Sequence, residues 1–424
     1  MRRLIVIAAL AACLVPAAVW SCGDYRVYSR LELAQAAISD NPVVAQRAIR
    51  QLRRAGAEAL RDFVNVHQEQ IAAHAPGKPA ASQSSEEWQR LQTALDGIAA
   101  QKDAHTSLLY WHTDLEAAKA QARAENKPIL SLRLLGNLSD ELSCANSRFF
   151  RTTLYANQKI GDYLREHYVL HWQSVRPVPV VTIDFGDGRV LKRTVTGNSI
   201  HYVLDSEGTV REALPGLFGP QAFLRQLQNA DAFIKELAAL TPESRAARQV
   251  EYHQQRQAEI VAAWARDLRQ LKRITDEQDA STAALTELTT DEVWNQLAQL
   301  HNEDARLDPR TAALVRPQFP AARVAGRIAA PKGAVENPLL RMLANFQSSI
   351  SLDSIRNEYT LHRQIHEWFA AGTVYDLNGL NERVYADLFL TPSADPWLGL
   401  VPNNVYTGLA NDGVVQSKPR QPQP

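Results

Sequence analysis

The strand-forming stretches of this 424-residue chain lie together between residues 107 and 230. They are rich in β-branched and aromatic residues and are bounded by turn residues: KPILSLRLLG (127–136), YVLHWQSV (168–175), VVTIDFG (180–186), RVLKRTVTG (189–197) and HYVLD (201–205). The Asp187-Gly188 pair predicts a hairpin turn between the third and fourth stretches. Helical patterns flank this region on both sides, so the sequence predicts an α/β core with N- and C-terminal helical regions.

The N-terminal helical region is predicted over residues 22–102. Apolar residues fall there at steps of three and four, namely Val44, Ala48, Leu52, Ala55, Ala59 and Phe63. Asn41 before Pro42 is typical of a helix start, and Gly56 of a break between two helices. We expect an αα-hairpin and not a repeat array, since one unit cannot make a solenoid. The composition of residues 75–85 is that of a linker.

The C-terminal helical region is predicted over residues 241–415, and the tail at 416–424 is expected to be disordered. The turn-rich stretch DPWLGLVP (395–402) carries the apolar residues Trp397, Leu398 and Leu400. These residues either form a patch that binds a partner or pack the segment back onto the protein.

The first 21 residues have the pattern of a signal peptide, because Arg2 and Arg3 precede a short apolar run. It ends at VWSCGD, in which Val19, Ser21 and Cys22 fit a bacterial lipobox. This predicts an exported protein of the bacterial cell envelope or periplasm, anchored in the membrane through a lipid on Cys22. The alternative is ordinary cleavage before Cys22, which would release a secreted protein.

The balanced charge and the small number of cysteines limit which classes of function the sequence supports. Lys plus Arg and Asp plus Glu are 46 each, so nothing in the charge favours a nucleic-acid partner. Of three cysteines, Cys13 leaves with the signal peptide. Cys144 is then the single free thiol if Cys22 is lipidated, and Cys22 could pair with it if not. No dinucleotide fingerprint, Walker motif or Gly-x-Ser-x-Gly motif occurs, and we expect no cofactor.

Residues Trp111 to about Leu227 resemble the secreted or periplasmic branch of the thioredoxin-like superfamily. The segment WHTDLEAAKAQARAENKPILSL (111–132) matches the opening of that branch, and TGNSIHYVLDSEGTVREALPGLFGPQAFLRQL (196–227) its closing strand pair and last helix. The resemblance implies a thioredoxin-like domain at 107–230. Cys144 then holds the place of the first active-site cysteine, at a helix start. Ser147 replaces the second cysteine, Ser199 falls where the family has a cis-proline, and a hairpin (180–197) stands where the family commonly has a helix.

The resemblance makes Cys144 the candidate nucleophile. A helix N-terminus lowers a thiol pKa, and Ser147 could donate a hydrogen bond to the thiolate. A Cys-x-x-Ser pair allows monothiol disulfide exchange or sensing through a sulfenic acid, with thiol substrates or protein partners, provided that the sulfur is reachable from solvent. The alternative is a small buried Cys144 in a non-catalytic interaction or scaffold protein on a degenerate thioredoxin fold.

Histidines give two further candidates. Glu358, His362 and His366 share one face of a predicted helix at a metal-compatible spacing, although a solvated helix face is the favoured interpretation. Three histidines lie in the thioredoxin-like segment: His167, His171 and His201. One of them could act as a base beside the cysteine, and a half-exposed strand histidine is the alternative.

Overall fold

The computed structural model describes residues 28–75, 85–195, 197–275, 281–315, 338–372, 376–400 and 408–409, without the side chains of 282 and 338–345. The predicted signal peptide, Cys22 and the tail at 416–424 lie outside these residues. In the part that is described, no helix is both long and apolar enough to cross a membrane.

The N-terminal part consists of helices, as the apolar periodicity predicts. They are α1 (Arg30–Ala36), α2 (Pro42–Arg54), α3 (Ala57–Val66), α4 (Gln68–Ala73) and α5 (Glu86–Ala99). The Asn41 side chain caps α2 through the N–H groups of Val43 and Val44. Gly56 separates α2 from α3 at a φ of 85°, a backbone conformation that glycine adopts without steric cost.

The central part contains a mixed five-stranded sheet, which confirms the predicted α/β class. Its strands are β1 (Trp111–His112), β2 (Ile129–Leu135), β3 (Val169–Arg176), β6 (Ser199–Leu204) and β7 (Val210–Pro215). The order across the sheet is β1-β3-β2-β6-β7. Both pairings of β3 are parallel, whereas β6 runs antiparallel to β2 and β7. β2 is buried along its whole length, as expected for a strand covered on both faces.

Helices cover this sheet: α6 (Leu115–Glu125), α7 (Ala145–Phe149), α8 (Gln158–His167) and α9 (Pro220–Ala238). A π-helical turn at Phe150–Leu154 continues α7. The predicted hairpin is present as β4 (Val180–Asp184) and β5 (Val190–Thr194), which form a separate two-stranded sheet.

The C-terminal part is helical: α10 (Pro242–Gln270), α11 (Thr282–Leu288), α12 (Asp291–Leu300), α13 (Pro309–Leu314), α14 (Pro338–Arg356), α15 (Arg363–Ala370) and α16 (Leu377–Arg383). π-helical turns at Asn357–His362 and Val384–Leu388 join α14 to α15 and extend α16. Buried residues of α15 and α16 belong to the same hydrophobic core as the sheet. The helices between residues 33 and 104 enclose a second core of their own.

Candidate functional site

Cys144 lies where the resemblance places it, at the N-cap of α7. The N–H of Ser147 donates to its sulfur over 3.4 Å. The Ser147 hydroxyl donates instead to the carbonyl of Cys144, at 2.9 Å. Sequence reasoning therefore predicted the position of the thiol correctly, while the hydrogen bond that the hydroxyl makes goes to the main chain.

The expectation that the sulfur is reachable from solvent is wrong. Cys144 is 0% exposed and belongs to the hydrophobic core of the sheet, and Ser147 is also 0% exposed. Burial raises the pKa of the Cys144 thiol, and the groups of Ser147 beside it offset this only in part. At neutral pH the side chain is a protonated, enclosed thiol.

Residues 376–398, here called the C-terminal cover, contribute to this burial. Tyr385 lies in the same core as Cys144, and its hydroxyl donates to the Asn198 carbonyl at 3.2 Å. Burial raises the pKa of Tyr385, and the charge of a Cys144 thiolate would raise it further. Leu398 of the cover is 7% exposed, whereas Trp397 is 48% exposed. The segment thus packs back through Leu398 and leaves the Trp397 ring partly in solvent.

One arginine fastens the cover to the end of β3. The Arg176 guanidinium donates to the carbonyls of Thr391 at 2.8 Å and Asp395 at 2.9 Å, with a longer contact to that of Pro392 at 3.4 Å. The Thr391 hydroxyl in turn accepts from the Asn198 side chain at 3.1 Å. These bonds hold the cover against the loop that precedes β6.

The position expected to hold a cis-proline is filled by Ser199, the first residue of β6. It is fully buried, and its hydroxyl accepts a hydrogen bond from the Asn146 side chain at 3.0 Å. Neighbouring Gly197 lies so close to Asn146 that a Cβ there would stand 2.5 Å from the amide oxygen. The space beside the start of α7 is thus occupied by the protein's own groups.

The three histidines of the central segment have partners other than the sulfur. His171 contacts the Ser131 hydroxyl at 2.8 Å, His201 the Tyr155 hydroxyl at 2.6 Å, and His167 the Asp231 carboxylate at 3.2 Å. Burial lowers the pKa of both His171 and His201 to about 3. His171 and His201 are buried, not half-exposed, and each is a neutral ring with a hydroxyl partner.

The favoured interpretation of Glu358, His362 and His366 as a solvated helix face is also wrong. His362 and His366 are each 0% exposed, and the Glu358 side chain is 19% exposed. The helix turns this face inward, against the end of the sheet and α10.

Two residues that the sequence did not single out complete a buried cluster there. Glu212 of β7 is 2% exposed, and His253 of α10 is 0% exposed. Potential ligand atoms of Glu212, His253 and His366 all lie within 4.8 Å of one another. The signal that could have revealed them is weak: Glu212 is a carboxylate within a predicted strand, and His253 lies on the apolar face of a long helix.

The Glu212 carboxylate is held by three donors. One oxygen accepts from the N–H of Ala213 at 2.9 Å and lies 3.4 Å from Nε2 of His362. The other accepts from the Tyr252 hydroxyl at 3.1 Å and lies 4.0 Å from Nε2 of His366. The Nδ1 atoms of His253 and His366 are 2.8 Å apart, a hydrogen-bond distance.

Electrostatics separates the three histidines of the cluster. Burial lowers the pKa of His362, but hydrogen bonds to Glu212 and Glu358 outweigh it and raise the value to about 9. Burial lowers the pKa of His253 to about 4 and that of His366 well below its usual range. Burial alone would raise the pKa of Glu212, yet the neighbouring histidines hold it well below its usual range. The cluster therefore combines an ion pair, Glu212 with His362, and two neutral imidazoles.

Comparison with protein-family models, with curated proteins and with solved structures finds no match to this chain.

Proposed function

We propose that the chain is an exported protein in which residues 107–230 form a thioredoxin-like platform for binding and not for disulfide chemistry. Strand order and strand direction support the thioredoxin-like part, since a mixed sheet carries the cysteine on the helix that follows a buried parallel strand. Export, and anchoring in the envelope through a lipid on Cys22, stay part of this proposal on the N-terminal sequence.

The observation that carries the non-catalytic role is the enclosed sulfur of Cys144. Disulfide exchange needs a thiolate that reaches a partner's sulfur in line. Here the sulfur is 0% exposed, burial raises its pKa, and the C-terminal cover lies over the neighbouring loop. Because Ser147 stands in place of a second cysteine, a disulfide within a Cys-x-x-Cys pair cannot form here.

An exposed apolar surface elsewhere supports the binding role. Val181, Ile183 and Phe185 point to one face of the β4–β5 hairpin and are 41%, 46% and 54% exposed. Arg193, which pairs with Val181 across the hairpin, adds positive charge to this face. The Arg189 guanidinium stacks on the Phe185 ring at 5.3 Å and pairs with the Asp187 carboxylate at 2.7 Å. Such a surface suits a partner protein with apolar and acidic groups.

The reactivity of Cys144 tests the proposal. We expect iodoacetamide to modify Cys144 in the native protein at least about 100-fold more slowly than in the denatured chain, because the sulfur reacts only after local opening. The measurement is the mass of the peptide that carries Cys144, followed over time at pH 8. As a matched control, a C144A/T182C variant places the thiol on exposed strand β4, where it should react at the rate of a free thiol.

The second candidate function, monothiol exchange or oxidation sensing through Cys144, is favoured by one contact, the Ser147 N–H on the sulfur. The same measurement decides between the two. A native Cys144 that reacts within about tenfold of T182C would contradict the non-catalytic role and support the thiol function.

A further inference from the structure

The buried cluster of Glu212, His253 and His366 lies away from the thiol, between strand β7 and helices α10 and α15. The three side chains come from three separate elements that are far apart in the sequence. All three are at most 2% exposed. Polar groups buried this deeply are normally paired, so each unpaired atom among them calls for an explanation.

One atom of the cluster is unpaired. The Nε2 atom of His366 is buried without a hydrogen bond. Nε2 of His366 faces a Glu212 oxygen across 4.0 Å, which is too long for a hydrogen bond. That oxygen accepts one hydrogen bond, from Tyr252, and keeps a second lone pair. An unpaired nitrogen and a free carboxylate lone pair thus face each other across a short gap.

The gap is close to the separation of two ligands on one metal ion. Zinc binds imidazole nitrogen at about 2.0–2.1 Å and carboxylate oxygen at about 2.0–2.2 Å, which places tetrahedral ligands about 3.4 Å apart. The 4.0 Å between Glu212 and His366 needs a contraction of about half an ångström to reach this value. The third candidate ligand atom, on His253, lies within 4.8 Å of both.

We propose that Glu212, His253 and His366 bind one divalent transition-metal ion, with zinc as the ion that the donors fit best. Two imidazoles and one carboxylate are borderline ligands that suit zinc better than calcium or magnesium, which prefer oxygen alone. The three protein ligands leave a fourth position for a water molecule.

The surroundings are those of a built site. Ala213 N–H and the Tyr252 hydroxyl orient the Glu212 carboxylate, and the Phe369 ring stacks on His253 at 4.4 Å. Outer contacts of this kind fix ligand orientation in metal sites. The proton shared between the two Nδ1 atoms can be assigned to His366, which leaves a lone pair on its Nε2. Coordination by Nδ1 of His253 would then replace the hydrogen bond between the rings.

Two carboxylates lie beside the proposed ion. Glu212 and Glu358 bring two carboxylates to the cluster, with His362 between them at 3.4 and 3.3 Å. Arg256 is linked to Glu358 through the Gln226 side chain and pairs with Glu259 at 2.5 Å, and its charge also acts on Glu358 and Glu212. Without an ion, the same residues would form an ion-pair network in which the His366 nitrogen stays unpaired.

Metal content of the full-length chain, purified without a polyhistidine tag, tests this inference. We expect about one zinc ion per chain by mass spectrometry of the metals, retained on dialysis because the site is buried. After unfolding in chelator, refolding with Zn²⁺ should raise Tm by about 5 °C or more relative to refolding without it. Co²⁺ in place of Zn²⁺ should give visible absorption of a tetrahedral nitrogen–oxygen site.

Variants locate the ion. E212Q and H366Q should lose the bound zinc and the rise in Tm, whereas H301Q, a change in a histidine outside the cluster, should keep both. Zinc retained equally in H366Q would place the ion elsewhere and overturn the inference. So would a wild-type chain that binds no zinc and shows no rise in Tm, and this result stands even if E212Q and H366Q fail to fold.

This inference is independent of the proposed binding role, because it uses none of the residues around Cys144. A reactive Cys144 would contradict the binding role and leave the metal site unaffected. An absence of bound metal would contradict the metal site and leave the binding role unaffected.

Discussion

A thiol at a helix N-terminus becomes acidic only where its thiolate is also solvated or paired with a cation. Cys144 has the helix position and an N–H on its sulfur, but its side chain is fully buried away from water. The family resemblance implied the cap position of Cys144, which helix-forming residues close to it in the chain determine. The core in which it is buried includes residues more than 200 positions away, among them Tyr385 and Leu398, and no local pattern carries that information.

At the same scale, His301 should make stability depend on pH. Burial lowers its pKa, but Asp267 at 2.7 Å and Asp304 at 3.6 Å outweigh this and raise the value to about 9. Because the folded value lies above the unfolded one of about 6.5, the stabilisation is complete below pH 6.5 and disappears as pH rises through 9.

We therefore expect H301Q to be less stable than wild type by on the order of 1 kcal/mol at pH 6, and by much less at pH 10. The ring is 28% exposed, which keeps the effect small. Urea unfolding of both proteins at the two pH values measures it. An equal difference at pH 6 and pH 10 would mean that the charge of His301 contributes nothing.

At the scale of elements, the sequence predicted β2, β3 and the β4–β5 hairpin because their composition and turn residues are local signals. The orientation of the helix that carries His362 and His366 was predicted wrongly, since charged and apolar residues both occur on its faces. The orientation is a tertiary property, and the segment Asn357–His362 docks against the loop after β7. There the Asn357 side chain donates to the Leu217 carbonyl at 2.7 Å.

Gly216 in that loop should tolerate a side chain poorly. Its φ is 75°, and a Cβ there would stand 2.6 Å from the Asn357 amide. Gly188 in the hairpin turn has a similar φ of 87° and no atom within 4 Å. We expect G188A to lose about 1 kcal/mol from backbone strain, and G216A about 2–4 kcal/mol from strain and steric conflict together. Unfolding in urea measures the loss of stability in each variant. Equal losses would show that the Asn357 side chain moves aside without cost.

At the scale of the molecule, the described residues contain two large hydrophobic cores. The boundary between these cores differs from the domain boundaries that the sequence composition predicts. The helices at 33–104 surround one core, whereas the sheet and part of the C-terminal helices share the other. The domain limits predicted at 107–230 and 241–415 mark a change in secondary structure and divide this second core. A change in composition locates the ends of strands and helices, but the sharing of a core is a tertiary property.

Two leucines of equal burial should therefore act on different parts of the protein. Leu95 of α5 and Leu380 of α16 are both 0% exposed, and each Leu→Ala change should cost about 2–5 kcal/mol. We expect L380A to reduce hydrogen-exchange protection in strands β2 and β6, and L95A to reduce it first in α2, α3 and α5. Protection of β2 unchanged in L380A would show that the C-terminal helices unfold separately from the sheet.

Arg176 holds the C-terminal cover by carbonyl oxygens alone, those of Thr391, Pro392 and Asp395. Every residue type has a main-chain carbonyl, so these three hydrogen bonds depend on the path of the main chain and not on the identity of the side chains at the three positions. Mutation could reshape the outward surface of this stretch freely while its attachment survives. All three contacts also depend on one side chain, so replacing Arg176 by a shorter or uncharged residue would remove them together.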